Sequence, residues 1–172
     1  MQGTAGKPAI ETQDPKDKDP KKKDPINRLS SRVQAVACFF PPTDFLNYGE
    51  NGREALGGGT LKGFKAPFDF QTQEKGGFVL VTDPEKRREI GKAISPIYHI
   101  TKDTPPTLIL HGDADKLVPI QQAEVFIARM KEVGATGELV VRKGAGHGWT
   151  TMGKDLAPLA DWFDRHLRKV EK

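Results

Sequence analysis

Two acidic residues and a histidine stand where chemistry could be done. Asp113 and Asp115 follow the apolar run Thr107 to Leu110 within TLILHGDADKLVP, and His147 lies in GAGHGW, just after the run Glu138 to Arg142. A carboxylate can fix the tautomer of an imidazole, which then moves a proton as a general base. That pairing needs both groups at the same edge of one scaffold. Asp115 and His147 are the candidate acid and base. The plainer alternative makes Asp115 a helix cap and His147 an ordinary loop residue. A further alternative is a hydrolytic metal site built from Asp113, Asp115 and His147, although no helical ligand motif accompanies them.

The elements that would position these groups follow from the apolar runs. Thr107 to about 111, preceded by Pro105-Pro106 and stopped at Gly112, reads as a buried parallel strand opening into a loop. Residues 137–142 form a second such strand, and Val33 to Phe40, VQAVACFF, a third. Between the first two, Gln121 to Val133 carries Ala123, Val125, Phe126, Met130 and Val133 at helical spacing and stops at Gly134. A helix crossing between parallel strands implies an α/β fold with at least three parallel strands, at about 33–40, 107–111 and 137–142. Ligands of such sheets sit beyond the carboxyl ends of the strands, where both candidate loops fall.

These motifs carry a resemblance. HGDADKLVP, the helix QQAEVFIARMKEVG and then ELVVRKGAGHGW are similar to the C-terminal half of α/β-hydrolase serine esterases and lipases. The kind is that of carboxylesterases and acetyl-xylan esterases, with a relation to prolyl-oligopeptidase-type hydrolases. Roughly Asp24 to Leu167 fits the pattern. The resemblance implies a partial α/β-hydrolase fold and carboxylic ester hydrolysis through a Ser-Asp-His triad. Asp115 matches the triad acid and His147 the base, whereas Asp113 matches a variable position. No cofactor is implied, and the implied partner is a small ester. Phe40, Pro41 and Phe45, around the end of the 33–40 strand, become candidate walls of an acyl pocket.

The nucleophile is harder to place. A hydrolase serine sits in Gly-x-Ser-x-Gly, because the sharp strand-to-helix turn accepts only small neighbours. Ser30, Ser31 and Ser95 are the only serines, and none has that context. Pro96 follows Ser95 and cannot give an oxyanion N–H. Cys38 lies inside a predicted strand, where its thiol is expected to be inert. The expectation is a chain beginning after the nucleophile elbow, carrying the acid and base alone. The alternative is a catalytically inactive hydrolase acting as a dimeric or interaction domain. An apolar, proline-free edge at 33–40 leads us to expect a homodimer through that strand.

Composition narrows the classes. With 172 residues and 36% hydrophobic content, one domain can bury a core. A mean hydropathy of −0.56 and the absence of an apolar run near the ~18 residues of a membrane span predict a soluble chain with no membrane partner. No signal peptide is evident, so the chain as given reads as cytoplasmic. The net charge of +4 is mixed along the sequence, without the aromatic interleaving of a nucleic-acid platform.

The rest of the chain has weaker signals. Residues 1–24, with ETQDPKDKDPKKKD, lack hydrophobic periodicity and are expected to be disordered or a long surface loop. Residues 25–172 then form the C-terminal part of the hydrolase domain. Asp24-Pro25 predicts a helical turn over 26–31. A Gly-rich insertion at about 49–77 is expected to lie over the site. Asp83-Pro84 begins a helix that ends before Ser95-Pro96, and Gly153 to Val170 forms a last helix. Its inner stripe is expected to be Leu156, Leu159, Trp162, Phe163, His166 and Leu167. His99 is expected to be structural.

Overall fold

A computed structural model describes residues 32–55, 59, 61 and 71–168; the expected N-terminal loop and the 26–31 turn lie outside these residues. Strand β1 (Val36–Phe39) pairs in parallel with β4 (Thr107–Gly112), and β4 pairs in parallel with β5 (Gly137–Arg142). The sheet order is β1-β4-β5, with β4 central and buried along its whole length. Side chains alternate across a strand. Ile109 accordingly joins Ala123, Phe126, Ile127 and Met130 of helix α2 (Gln121–Glu132). Leu108 and Leu110 meet Trp162 of helix α3 (Leu156–Leu167). The sheet is thus sandwiched between α2 and α3, the layering of an α/β fold.

Strand β1 is shorter than the predicted 33–40 and only half-buried. Its register explains the lower limit. Val36 lies opposite Thr107 and its N–H reaches the Pro106 carbonyl at 2.8 Å. The residues before Thr107 are Pro105 and Pro106, which have no N–H to extend the ladder. At the other end, Phe40 turns into positive φ and Pro41 follows.

Helix α1 (Pro84–Ile94) has the predicted limits. The Asp83 side chain accepts the Lys86 N–H at 2.8 Å, Pro84 opens the first turn, and Ser95 closes the end. The stretch expected to be an irregular insertion ends instead in a hairpin. Strands β2 (Gln71–Glu74) and β3 (Gly77–Leu80) pair antiparallel across Lys75-Gly76. Gly76 and Gly77, at φ +116° and +138°, supply the turn that side chains disfavour.

The last helix departs from its predicted stripe. A 3-10 turn covers Met152–Asp155 and α3 begins at Leu156. Trp162 is buried at the centre, with Leu159 and Phe163 beside it, but Leu156 and Leu167 are exposed. The helix meets the sheet through its middle, so residues near its ends pass beyond the strands although their periodicity is right. Among the described residues, no helix is long and apolar enough to cross a membrane.

Candidate active site

The three strand ends bring their loops to one rim. Gly112 closes β4 where the loop after β5 passes directly above it: a Cβ there would come 2.2 Å from the Ala145 carbonyl oxygen. Only glycine permits that approach. The two loops are then stitched together. The Asp113 N–H reaches the Arg142 carbonyl at 3.2 Å, Ala114 N–H reaches the Ala145 carbonyl at 3.0 Å, and Gly144 N–H reaches Asp113 Oδ1 at 2.6 Å. Asp113 therefore has a loop-bracing role in the structure. Gly144 and Gly148, at φ +70° and +116°, turn the chain on either side of His147.

This stitching brings Asp115 and His147 together. Asp115 Oδ2 lies 2.9 Å from His147 Nδ1, while Oδ1 accepts the N–H groups of Leu117 and Val118 at 2.8 and 2.9 Å. Burial raises the Asp115 pKa, but bonds from Val118, His147 and Leu117, with the His147 charge, more than offset it and hold the carboxyl below its ordinary value. The ionised acid accordingly places the proton of neutral His147 on Nδ1, leaving Nε2 as a lone-pair nitrogen. The His147 side chain is 35% exposed and that of Asp115 is fully covered.

Several residues that brace the pair were not singled out from the sequence. His111, wholly buried on β4, donates through Nε2 to the Val118 carbonyl at 2.8 Å and lies 3.5 Å from Asp115 Oδ2. The buried Tyr48 hydroxyl donates to the Leu117 carbonyl at 2.7 Å; burial and the Asp115 charge push its pKa to about 12, so it stays a phenol. Behind His147, Trp149 Nε1 donates to Asp155 at 2.7 Å, and Arg142 pairs with the same carboxylate. Burial raises the Asp155 pKa, but the Arg142 and Trp149 bonds leave it net lowered. The sequence signals were faint: a His four residues before Asp115, and a Trp two after His147.

A cavity of about 310 Å³ opens beside the imidazole, lined among others by Phe39, Phe40, Pro41, Tyr48, Leu117 and His147. Phe40 and Pro41 stand in its wall as expected, but Phe45 does not. The Phe45 N–H bonds Ser95 Oγ at 2.9 Å, and its ring packs with the Tyr48, Ala55, Leu61 and Val81 cluster.

The described candidates for a nucleophile are committed elsewhere. Ser95 is fully buried and its hydroxyl donates to the Gly91 carbonyl at 2.6 Å. Burial pushes the Cys38 thiol up to about 11. Among the described residues, no group of three acidic, His or Cys side chains could hold a metal, so the Asp113, Asp115 and His147 alternative lacks its geometry. His99 Nε2 bonds the Ala93 carbonyl at 2.8 Å, a structural contact.

Comparison with known proteins places this arrangement. The BD-FAE family model matches residues 2–130, which include Asp115 and stop short of His147. Esterase LipC of Mycobacterium tuberculosis is 32% identical over 91 residues, 51% of this chain and 22% of LipC. The uncharacterized peptidase YuxL of Bacillus subtilis is 35% identical over 79 residues, 42% of this chain and 12% of YuxL. Among solved structures, a truncated form of a carbohydrate esterase from gut microbiota superposes with a TM-score of 0.58 at 26% identity, covering 77% of this chain and 43% of that one. Esterase Est2 of Thermogutta terrifontis shares the fold, with a TM-score of 0.56 at 24% identity over 91% of this chain and 50% of its own. The chain thus spans half or less of the length of these proteins. With three quarters of its residues inside the family model, the chain belongs to the BD-FAE family and has the α/β-hydrolase fold of esterase-like proteins.

Proposed function

We propose that this chain carries the acid and base of a carboxylic ester hydrolase. The observation that supports it is the 2.9 Å bond between Asp115 Oδ2 and His147 Nδ1 beside an apolar cavity. In this reading, Nε2 of His147 accepts the proton of a serine hydroxyl as that oxygen attacks the acyl carbon. It then returns the proton to the departing alkoxide, and the cycle repeats with water to free the acid. Asp115 stays ionised, holding the ring in the productive tautomer and opposing the charge of the imidazolium. The serine lies outside the described residues, since Ser95 is buried as a helix cap. The apolar walls suit the acyl part of an ester.

Hydrolysis of p-nitrophenyl acetate and butyrate by the chain joined to a segment that carries a Gly-x-Ser-x-Gly elbow tests this. His147→Ala should abolish turnover, and Asp115→Asn should cut it on the order of 10³- to 10⁴-fold by selecting the wrong tautomer. Turnover unchanged in both variants would reject the assignment.

A second reading is a non-catalytic homodimer. It is supported by β1, whose second edge has no strand partner among the described residues. In this reading, two copies pair along that edge across a two-fold axis. Absence of turnover with a stable dimer in light scattering would favour it; a monomer at micromolar concentration would count against it.

A further inference from the structure

Among the described residues, Phe40 is alone among non-glycines in having a positive φ, at +37°. A bulky side chain crowds the backbone in that region, and the proline that follows pushes the preceding residue toward extended conformations. Two local preferences therefore oppose the backbone observed. Such outliers persist where surrounding structure holds them, and they gather at functional sites.

What the turn achieves is visible in the packing. Along β1, Cys38 packs with Ile109 on the α2 side of the sheet, and Ala37 and Phe39 pack with Leu108, Leu110 and Trp162 on the other. An extended Phe40 would follow Cys38. Instead its N–H bonds the Leu110 carbonyl at 2.8 Å and its ring lies 4.1 Å from the His147 ring, centroid to centroid, at a 47° tilt. The rings of Trp149 and His111 meet it edge to face at 6.1 and 6.4 Å. The left-handed turn thus carries an aromatic ring off the strand and onto the imidazole.

We propose that Phe40 is a positioning residue for His147: its ring braces the imidazole so that Nδ1 stays on Asp115 and Nε2 remains the free nitrogen. Asp115 alone fixes one atom of the ring and leaves the plane free to tilt about that bond. A ring packed against the imidazole removes that freedom. It also offers a π surface to the imidazolium formed when the base takes up a proton. The inference rests on reading His147 as the base, yet the brace can be tested without turnover.

The test is the ring ¹⁵N–¹H spectrum of His147 in the full chain at about pH 8, where a free imidazole is neutral. The unaltered chain should show one tautomer with the proton on Nδ1. Phe40→Tyr should retain it. Phe40→Leu, which fills space without a π face, should mix the tautomers and speed exchange of the Nδ1 proton by roughly two- to tenfold, the factor an aromatic contact is worth. Phe40→Gly should melt above Phe40→Ala, the reverse of the usual order, because glycine accepts the positive φ. An unchanged tautomer and exchange rate in Phe40→Leu would overturn the proposal, as would Phe40→Ala melting above Phe40→Gly. If the alanine and glycine variants fail to fold, the leucine variant decides alone. A lost tautomer in a chain without esterase activity still supports the brace. A preserved tautomer in an active chain sinks the brace and leaves the assignment of the base intact.

Discussion

Asp115→Asn is nearly isosteric, so its effect isolates the charge. In the native chain the carboxylate takes three hydrogen bonds, from Leu117, Val118 and His147, at 2.8 to 2.9 Å. A bond to an ionised group contributes about 1.5–3 kcal/mol net and a neutral one about 1. Asparagine can keep both N–H bonds at Oδ1 in weaker, neutral form. Its amide then points a donor at His147 Nδ1, forcing that ring into the other tautomer, and meets the His111 N–H, which sits 3.5 Å from Oδ2. The combined loss at neutral pH should be roughly 2–4 kcal/mol, a large share of the about 5–15 kcal/mol that holds a domain of this size. Urea unfolding followed by tryptophan fluorescence would measure it, with the slope against urea unchanged. The pH dependence supplies the stricter check. Because the folded pKa lies below its ordinary value of 3.8, the stabilisation is complete above the unfolded value and fades as pH falls through the folded one. The gap between the two proteins should therefore close below pH 3.8. A gap of equal size at neutral pH and well below that value would refute the electrostatic account, and no gap at neutral pH would refute the network itself.

Two other substitutions probe the scaffold. Gly112→Ala drives a Cβ to within 2.2 Å of the Ala145 carbonyl oxygen, backbone against backbone, so the two site loops must part. We expect about 1–3 kcal/mol of destabilisation, with the His147 Nδ1 proton signal lost; a melting temperature and spectrum like the parent's would contradict the close approach. Gln122→Leu keeps the volume but strips the side-chain partner from the N–H groups of Thr43 and Asp44, held at 2.9 and 2.8 Å, and leaves the Asn47 carbonyl with the Gln121 amide alone. The loss should be about 2–5 kcal/mol, with faster hydrogen exchange at Thr43 and Asp44; a cost under about 1 kcal/mol would show that water replaces the side chain.

What was legible in the sequence was local. Asp83-Pro84 marks the start of α1 because a cap and a proline act within one turn, and the apolar run at 107 marks β4 because burial on both faces leaves no alternation to misread, while β5, exposed at Glu138 and Val141, is marked by the strand formers Leu139, Val140 and Val141. Asp115 and His147 could be paired before the structure because each follows such a run in a glycine-bearing loop. Two of the errors depended on a distant partner. β1 starts late because of two prolines on its neighbour, some 70 residues away in the chain. Phe45 leaves the cavity because Ser95, 50 residues on, captures its N–H.

The bracing of the site has the same character, and this bears on where function is sensitive to change. Tyr48 reaches Leu117 across 69 residues and Gln122 reaches Thr43 across 79, while Trp149 and Arg142 meet on Asp155. None belongs to the acid-base pair. Yet a side chain 2.9 Å from its partner keeps that distance only if both loops are held, and a displacement near 1 Å is enough to break the geometry that proton transfer needs. The motif identifies the reacting groups; the buried polar contacts set their precision. Substitutions at Tyr48, Gln122 or Asp155 should therefore weaken the Asp115–His147 bond while the motif residues themselves stay intact.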